Sequence, residues 1–217
     1  AAFDLLGTEG SAGTSVRAVC QAARLNPRYF YESFDDLDEL LVAVYDRLLE
    51  ELGAEVVAAM AAAGDDAAEQ VRAALDTILG FVEDDPRRGR VLYVEALGSE
   101  ALNRRRIETA HSLVGLVEQS GAERHDPPPP GERIGRITAA ILVGGAGEMV
   151  VAWLDGRIDV SRQQLVDDAT ELFIALGVIG LGMLVGWNEI VAPLVNDVPD
   201  GSPSIFPFLF ITIACGA

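Results

Sequence analysis

Residues 14–41, TSVRAVCQAARLNPRYFYESFDDLDELL, constrain the fold more than any other stretch of the chain. Val16, Val19, Cys20, Ala22 and Ala23 recur at helical spacing, and Thr14 or Ser15 can cap that run by accepting a backbone N–H bond. The spacing predicts a first helix over Ser15 to Ala23, then a turn at Arg24 and Leu25 with Leu25 as its buried plug. Asn26 followed by Pro27 reads as a cap and a proline in the first helical turn, where no N–H is missed. The very short helix that begins there carries Phe30 and Phe34 at i and i+4, toward the core, and leaves Arg28, Tyr29, Tyr31 and Ser33 on other faces. Two short helices, a tight turn and a long helix make the layout of a DNA-reading head. Those four side chains are the groups a major groove would meet.

Charge at first sight opposes this. The net charge is −18, whereas duplex binding rests on neutralising phosphates. Its distribution softens the objection: residues 1–34 set Arg17, Arg24 and Arg28 against Asp4, Glu9 and Glu32, so this first part of the head is neutral and the rest acidic. Such a chain orients its head toward DNA and binds with a modest salt slope. Every basic residue is arginine, which points to a GC-rich bacterial genome rather than to a mechanism. Cys20 falls on the buried face of a helix and Cys215 in an apolar tail, so no disulfide framework is expected and a reducing cytoplasm is the default.

The head resembles that of the TetR family of bacterial repressors, on Thr14 to Ala23, the Arg24-Leu25 turn, Tyr31-Glu32-Ser33-Phe34 and the helix start Leu37 to Leu40. In layout the resemblance covers residues 1–177; in motifs, about the first 45. Two positions depart from the pattern: Arg24 stands where a small residue is usual, and Leu37 where the family usually has a phosphate-binding lysine. The resemblance implies an all-α fold, with a helix-turn-helix head over 1–45 and a ligand-binding and dimerisation bundle over 46–177. It also implies that residues 1–6 are the second half of a first helix ending near Gly7 to Gly10, and that the natural start is missing. Thr14, Ser15, Arg28, Tyr29, Tyr31 and Ser33 are the expected DNA contacts, with Arg28 and Tyr29 nearest bases and Thr14 and Tyr31 on phosphate. The implied partners are a palindromic operator in double-stranded DNA, a small-molecule effector and a second copy of the chain.

Beyond the head, Asp36 to Ala63 patterns as one long amphipathic helix, stopped by Gly64-Asp65-Asp66, which also caps a helix over 67–82. Asp84-Asp85-Pro86 starts another through Leu97, and Ser99 a further one. The prolines of 127–130 exclude helix and read as a surface loop. Glu132 to Leu154 mixes Gly135, Gly144, Gly145 and Gly147 with Ile and Val, a low surface that another helix can approach closely. Ser161 with Gln164 forms a capping box for the next apolar stripe. Residues 133–154 and 161–177 resemble the family's dimer-forming pair; intramolecular core is the other reading. Phe81, Leu92, Tyr93, Leu97, Leu113 and Trp153 are candidate pocket residues that equally suit plain core, and Glu95 is a polar group on an otherwise apolar turn, a candidate ligand contact or a solvated face.

Nothing in the sequence assembles an active site. His111 and His125 lack zinc spacing to another ligand, the acidic run Asp35 to Glu39 suits a helix start, and no phosphate-cradling glycine motif occurs, so neither enzyme activity nor a cofactor or metal is expected. Residues 172–187 are uncharged and 206–217 apolar, yet neither run reaches the roughly 20 residues of a spanning helix. Residues 187–217, ending FPFLFITIACGA, resemble an internal piece of the carbon-starvation family of membrane transporters. Residues 178–217 are therefore expected to be an appended apolar tail, a joined fragment too short to transport, with membrane contact as a minor alternative. A transporter fragment, and a helical small-molecule binder with a disabled head, are the competing functions.

Overall fold

The computed structural model describes residues 1–123 and 132–186, and among them only helices, turns and loops occur. The order is α1 (Ala2–Gly13), α2 (Val16–Ala23), α3 (Pro27–Tyr31), α4 (Leu37–Ala62), α5 (Ala67–Asp84), α6 (Pro86–Gly89), a π-helical segment (Arg90–Glu95), α7 (Ala96–Gly98), α8 (Glu100–Glu123), α9 (Glu132–Leu154) and α10 (Arg162–Gly186). The 125–131 loop and residues 187–217 of the tail lie outside the described residues. Helix α10 continues unbroken through position 177.

Local chemistry explains the boundaries. Asp36 caps α4 by accepting from the Glu39 N–H, and Asp66 caps α5 by accepting from Ala68 and Glu69. Gly64, at φ 78°, permits the reversal between them. Asp85 caps α6 ahead of Pro86. The predicted capping box forms: Gln164 N–H donates to Ser161 Oγ at 3.3 Å, and Ser161 N–H to Gln164 Oε1 at 3.1 Å.

Two apolar cores result. The larger gathers Leu41, Tyr45, Leu48 and Leu52 of α4, Leu79, Phe81 and Val82 of α5, Val91 and Leu92 of the π segment, Leu102 of α8, Val150 of α9 and Val166 of α10. The smaller holds Val19, Cys20, Phe30 and Leu40. Leu37 and Val44, on one face of α4, pack against both. Helix α4 is thus the shared wall of head and body.

The first helix breaks at Gly10 (φ 77°, ψ −178°), within the expected Gly7 to Gly10 span, and a short turn of helix continues to Gly13; Gly7 lies close on α6, where a Cβ would lie 2.6 Å from Arg87 Cβ. Two expectations change. Leu25 is no buried plug but 54% exposed. Arg24 takes the left-handed conformation at φ 54° to end α2, which turns the next residue outward and leaves Phe30 to fill the head core. The rod expected from Pro86 to Leu97 forms, but with a π turn inside it.

Candidate nucleic-acid interface

Helix α3 has five residues, too few to hold itself together, so its neighbours must position it. Asn26 Oδ1 accepts the Arg28 N–H at 2.9 Å, and Pro27 fixes the first turn. Phe30, 6% exposed, anchors the helix from below, with Phe34 at 5.7 Å and Tyr31 edge-on at 5.2 Å between ring centroids. Burial of Phe30 forces its neighbours outward. Tyr29 is 57% and Tyr31 61% exposed, large aromatic areas that a folded chain leaves in water only at a cost unless something covers them. Arg28 is exposed as well and pairs with Glu32, Nε to Oε1 at 3.0 Å. The pair is exposed and one helical turn apart, hence weak, about 0.3–0.5 kcal/mol. Arg28 can therefore leave Glu32 for a base or phosphate at small cost. The exposed Ser33 hydroxyl donates to the Tyr29 carbonyl at 3.4 Å.

Helix α2 starts at Ser15, whose Oγ accepts the Ala18 N–H at 3.2 Å. Thr14 differs from expectation: it is 4% exposed and its hydroxyl donates to the Gly10 carbonyl at 2.7 Å, so its side chain faces the protein rather than a phosphate. The kink at Gly10 frees that carbonyl from the helix and Thr14 answers it.

Behind the head lies a polar seam that sequence reasoning missed. Arg87 forks onto Asp85 (Nε–Oδ1 2.9 Å, Nη2–Oδ2 2.7 Å), reaches Asp4 of α1 at 2.7 Å, and its guanidinium lies 4.9 Å from the Phe3 ring centroid. One turn on, Arg90 Nε bonds Glu95 Oε1 at 3.0 Å, Arg90 Nη1 donates to the Thr8 carbonyl at 2.6 Å, and Glu95 Oε2 accepts the Ser11 N–H at 2.7 Å. Burial pushes the Glu95 carboxyl up, but the Ser11 amide and the Arg90 guanidinium outweigh it and hold the group below its ordinary range. The Arg87 side chain likewise holds Asp85 low, against burial. Gly7 and Gly10, spaced three apart on α1, were the one sequence hint of this close approach.

Of the expected pocket residues, Phe81 is buried in the main core, with the Arg88 guanidinium 4.3 Å over its ring. Tyr93 and Trp153 pack against the same core, and Trp153 Nε1 donates to the Val160 carbonyl at 3.0 Å. Burial pushes the Tyr93 phenol up to about 12. Leu97 and Leu113 instead face outward, 62% and 44% exposed, unlike the buried Phe81. The π turn is the reason for Leu97: it shifts the register of the residues after it, breaking the face expected for 91–97. Tyr45 is 3% exposed, and burial pushes its phenol up; nearby, the buried Arg106 Nε has no hydrogen-bond partner. An open, largely acidic cleft of about 490 Å³ lies elsewhere, between the starts of α4 and α8.

No family model matches the chain. Solved structures do. A transcriptional regulator from Rhodococcus sp. Rha1 superposes with TM-score 0.64 at 21% identity, over 82% of this chain and 92% of that one. The fatty acid degradation regulator FadR from Bacillus halodurans gives 0.63 at 17% identity, over 79% and 90%. A TetR-like transcriptional regulator from Rhodococcus sp. RHA1 gives 0.54 at 25% identity, over 85% and 92%. An all-α body behind a helix-turn-helix head, matched over nearly the full length of these regulators, gives the chain the fold of TetR-type transcriptional regulators.

Proposed function

We propose that the chain is a homodimeric DNA-binding transcriptional regulator that represses from a palindromic operator and is released by a small-molecule effector. One observation carries the reading: a helix pinned by Asn26, Pro27 and Phe30 presents Arg28, Tyr29, Tyr31 and Ser33 together to solvent. Arg28 and Tyr29 serve as base contacts, and Tyr31, Ser33 and the exposed Ser15 as backbone contacts.

A second copy is the cover for α9 and α10. The span Gly135–Leu154 has a mean hydropathy of 1.8, with only 11% of it buried, long and apolar enough by composition to cross a bilayer. Ile137 and Ile141 on α9 and Leu172 and Leu176 on α10 are 40% exposed or more, and open space lies over Gly144, Gly145 and Gly147. A paired helix fits there closely, and two heads then meet two half-sites. The effector belongs in the body, where Tyr45, Tyr93, Thr109 and the unpartnered Arg106 Nε are polar groups within or beside an apolar core.

The test is binding of the purified chain to its own upstream DNA across a salt series, beside Arg28→Ala and Tyr29→Ala. Each substitution is expected to weaken specific binding roughly 10- to 100-fold. A folded dimer that binds no duplex at low salt overturns the proposal.

A further inference from the structure

The π segment does something an α-helix cannot. At 3.6 residues per turn, side chains at i and i+5 point roughly 140° apart, whereas a π turn, closed by i→i+5 bonds, brings them close to line. Arg90 and Glu95 are such a pair, and they meet at 3.0 Å. Side by side, they grip the backbone on the two sides of Gly10: the Thr8 carbonyl from Arg90 at 2.6 Å and the Ser11 amide from Glu95 at 2.7 Å. Because both gripped groups are main chain, the contact fixes the direction of the bend itself. The backbone there requires glycine, and a side chain would also displace the tips of the pair. Its φ of 77° with ψ −178° is open to glycine almost alone, and a Cβ would lie 2.7 Å from Glu95 Oε1 and 2.9 Å from Arg90 Nη2.

The contact leads onward into the head. The Gly10 carbonyl takes the Thr14 hydroxyl at 2.7 Å, Ser15 comes next as the cap of α2, and α2 packs on α3 through Val19, Cys20 and Phe30. The Glu95 side chain is 11% exposed, so its charged hydrogen bonds escape most of the screening that weakens surface pairs. We infer that the Arg90–Glu95 pair is a positioning device that sets the angle of the head on the body and thereby the half-site spacing the protein accepts. This rests on the dimeric DNA-binding reading.

The test uses duplexes selected by the wild-type full chain from a random pool, then remade with the spacer changed by one or two base pairs. Affinity for each, and for a lone half-site, is measured for wild type, Glu95→Ala, Glu95→Gln and Arg90→Ala, with thermal unfolding alongside. Wild type is expected to lose about tenfold or more for a wrong spacer, since a misplaced head forfeits its base contacts. Glu95→Ala and Arg90→Ala are expected to lose under about threefold, with lone half-site affinity unchanged because the contacting face is intact. Glu95→Gln keeps an acceptor for Ser11 but loses the ion pair, and is expected between them; it serves where the alanine variant does not fold. A folded variant with the wild-type spacing profile overturns the inference, as does a wild type indifferent to spacing. A wild type that selects no duplex overturns the DNA-binding reading, and this inference with it.

Discussion

Head and body are built on different terms. The body is held by an extended apolar core drawn from α4, α5, the π segment and α8 to α10, while the head rests on Val19, Cys20, Phe30 and Leu40 and on caps made within a few residues. Polar contacts differ as well. Those within the head span two to four positions, whereas Asp4–Arg87, Thr8–Arg90 and Ser11–Glu95 join residues more than eighty apart. Stability is therefore concentrated in the body, and orientation in the seam. The head carries the exposed face of α3 and can open locally before the body does.

The widest separation of head from body is expected from Phe30→Ala. Removing the anchor of the small core should destabilise the head by about 3–5 kcal/mol. Hydrogen exchange should show head amides exposed while α5 and α8 keep their protection; equal loss in both would make head and body a single cooperative unit. Acid probes the seam. Glu95 and Asp85 have lowered carboxyl pKa values in the fold, so each contributes stability that is fully present above its ordinary value and is lost as pH falls through the folded one. Urea midpoints should fall as pH drops from about 5 toward 2, and Glu95→Gln should flatten that slope by removing one of the two groups. A slope unchanged by Glu95→Gln would place the acid sensitivity in carboxyls other than Glu95, such as Asp85.

Smaller effects are confined to the head. Arg24 is the non-glycine residue at positive φ among those described, and Arg24→Gly should stabilise by about 1 kcal/mol, read as a higher melting temperature. Glu32→Gln frees Arg28 from its ion pair and removes a negative charge beside the proposed DNA contacts. Operator affinity should rise by a few-fold, most at low salt, and no rise would mean that Arg28 keeps Glu32 when bound.

The head helices and the helix caps were largely legible because their signals are local. A cap at Asn26 before Pro27, a Phe30–Phe34 pair and the caps at Asp66 and Ser161 each depend on neighbours in sequence, and each forms as the pattern predicts. The features that failed to show were set by residues far apart. The seat of Thr14 depends on a kink at Gly10, and that kink on a pair of side chains from the body. Glu95 stood out as polar on an apolar turn, yet its partners, Ser11 and Arg90, are brought to it by a π register that no residue spacing announces. Leu25 looked apolar enough to be buried, but a left-handed Arg24 decides its direction.

Helix α4 has a geometric consequence of its own. At about 1.5 Å per residue, its 26 residues make a lever about 39 Å long, with Leu37 and Val44 of the head core at one end. Swinging that lever by about 5° about its far end carries the near end through roughly 3 Å, close to the rise of one base-pair step. On the proposed DNA-binding function, adjustments too small to disturb the packing of the large core are thus magnified into a mismatch of a whole step on the duplex.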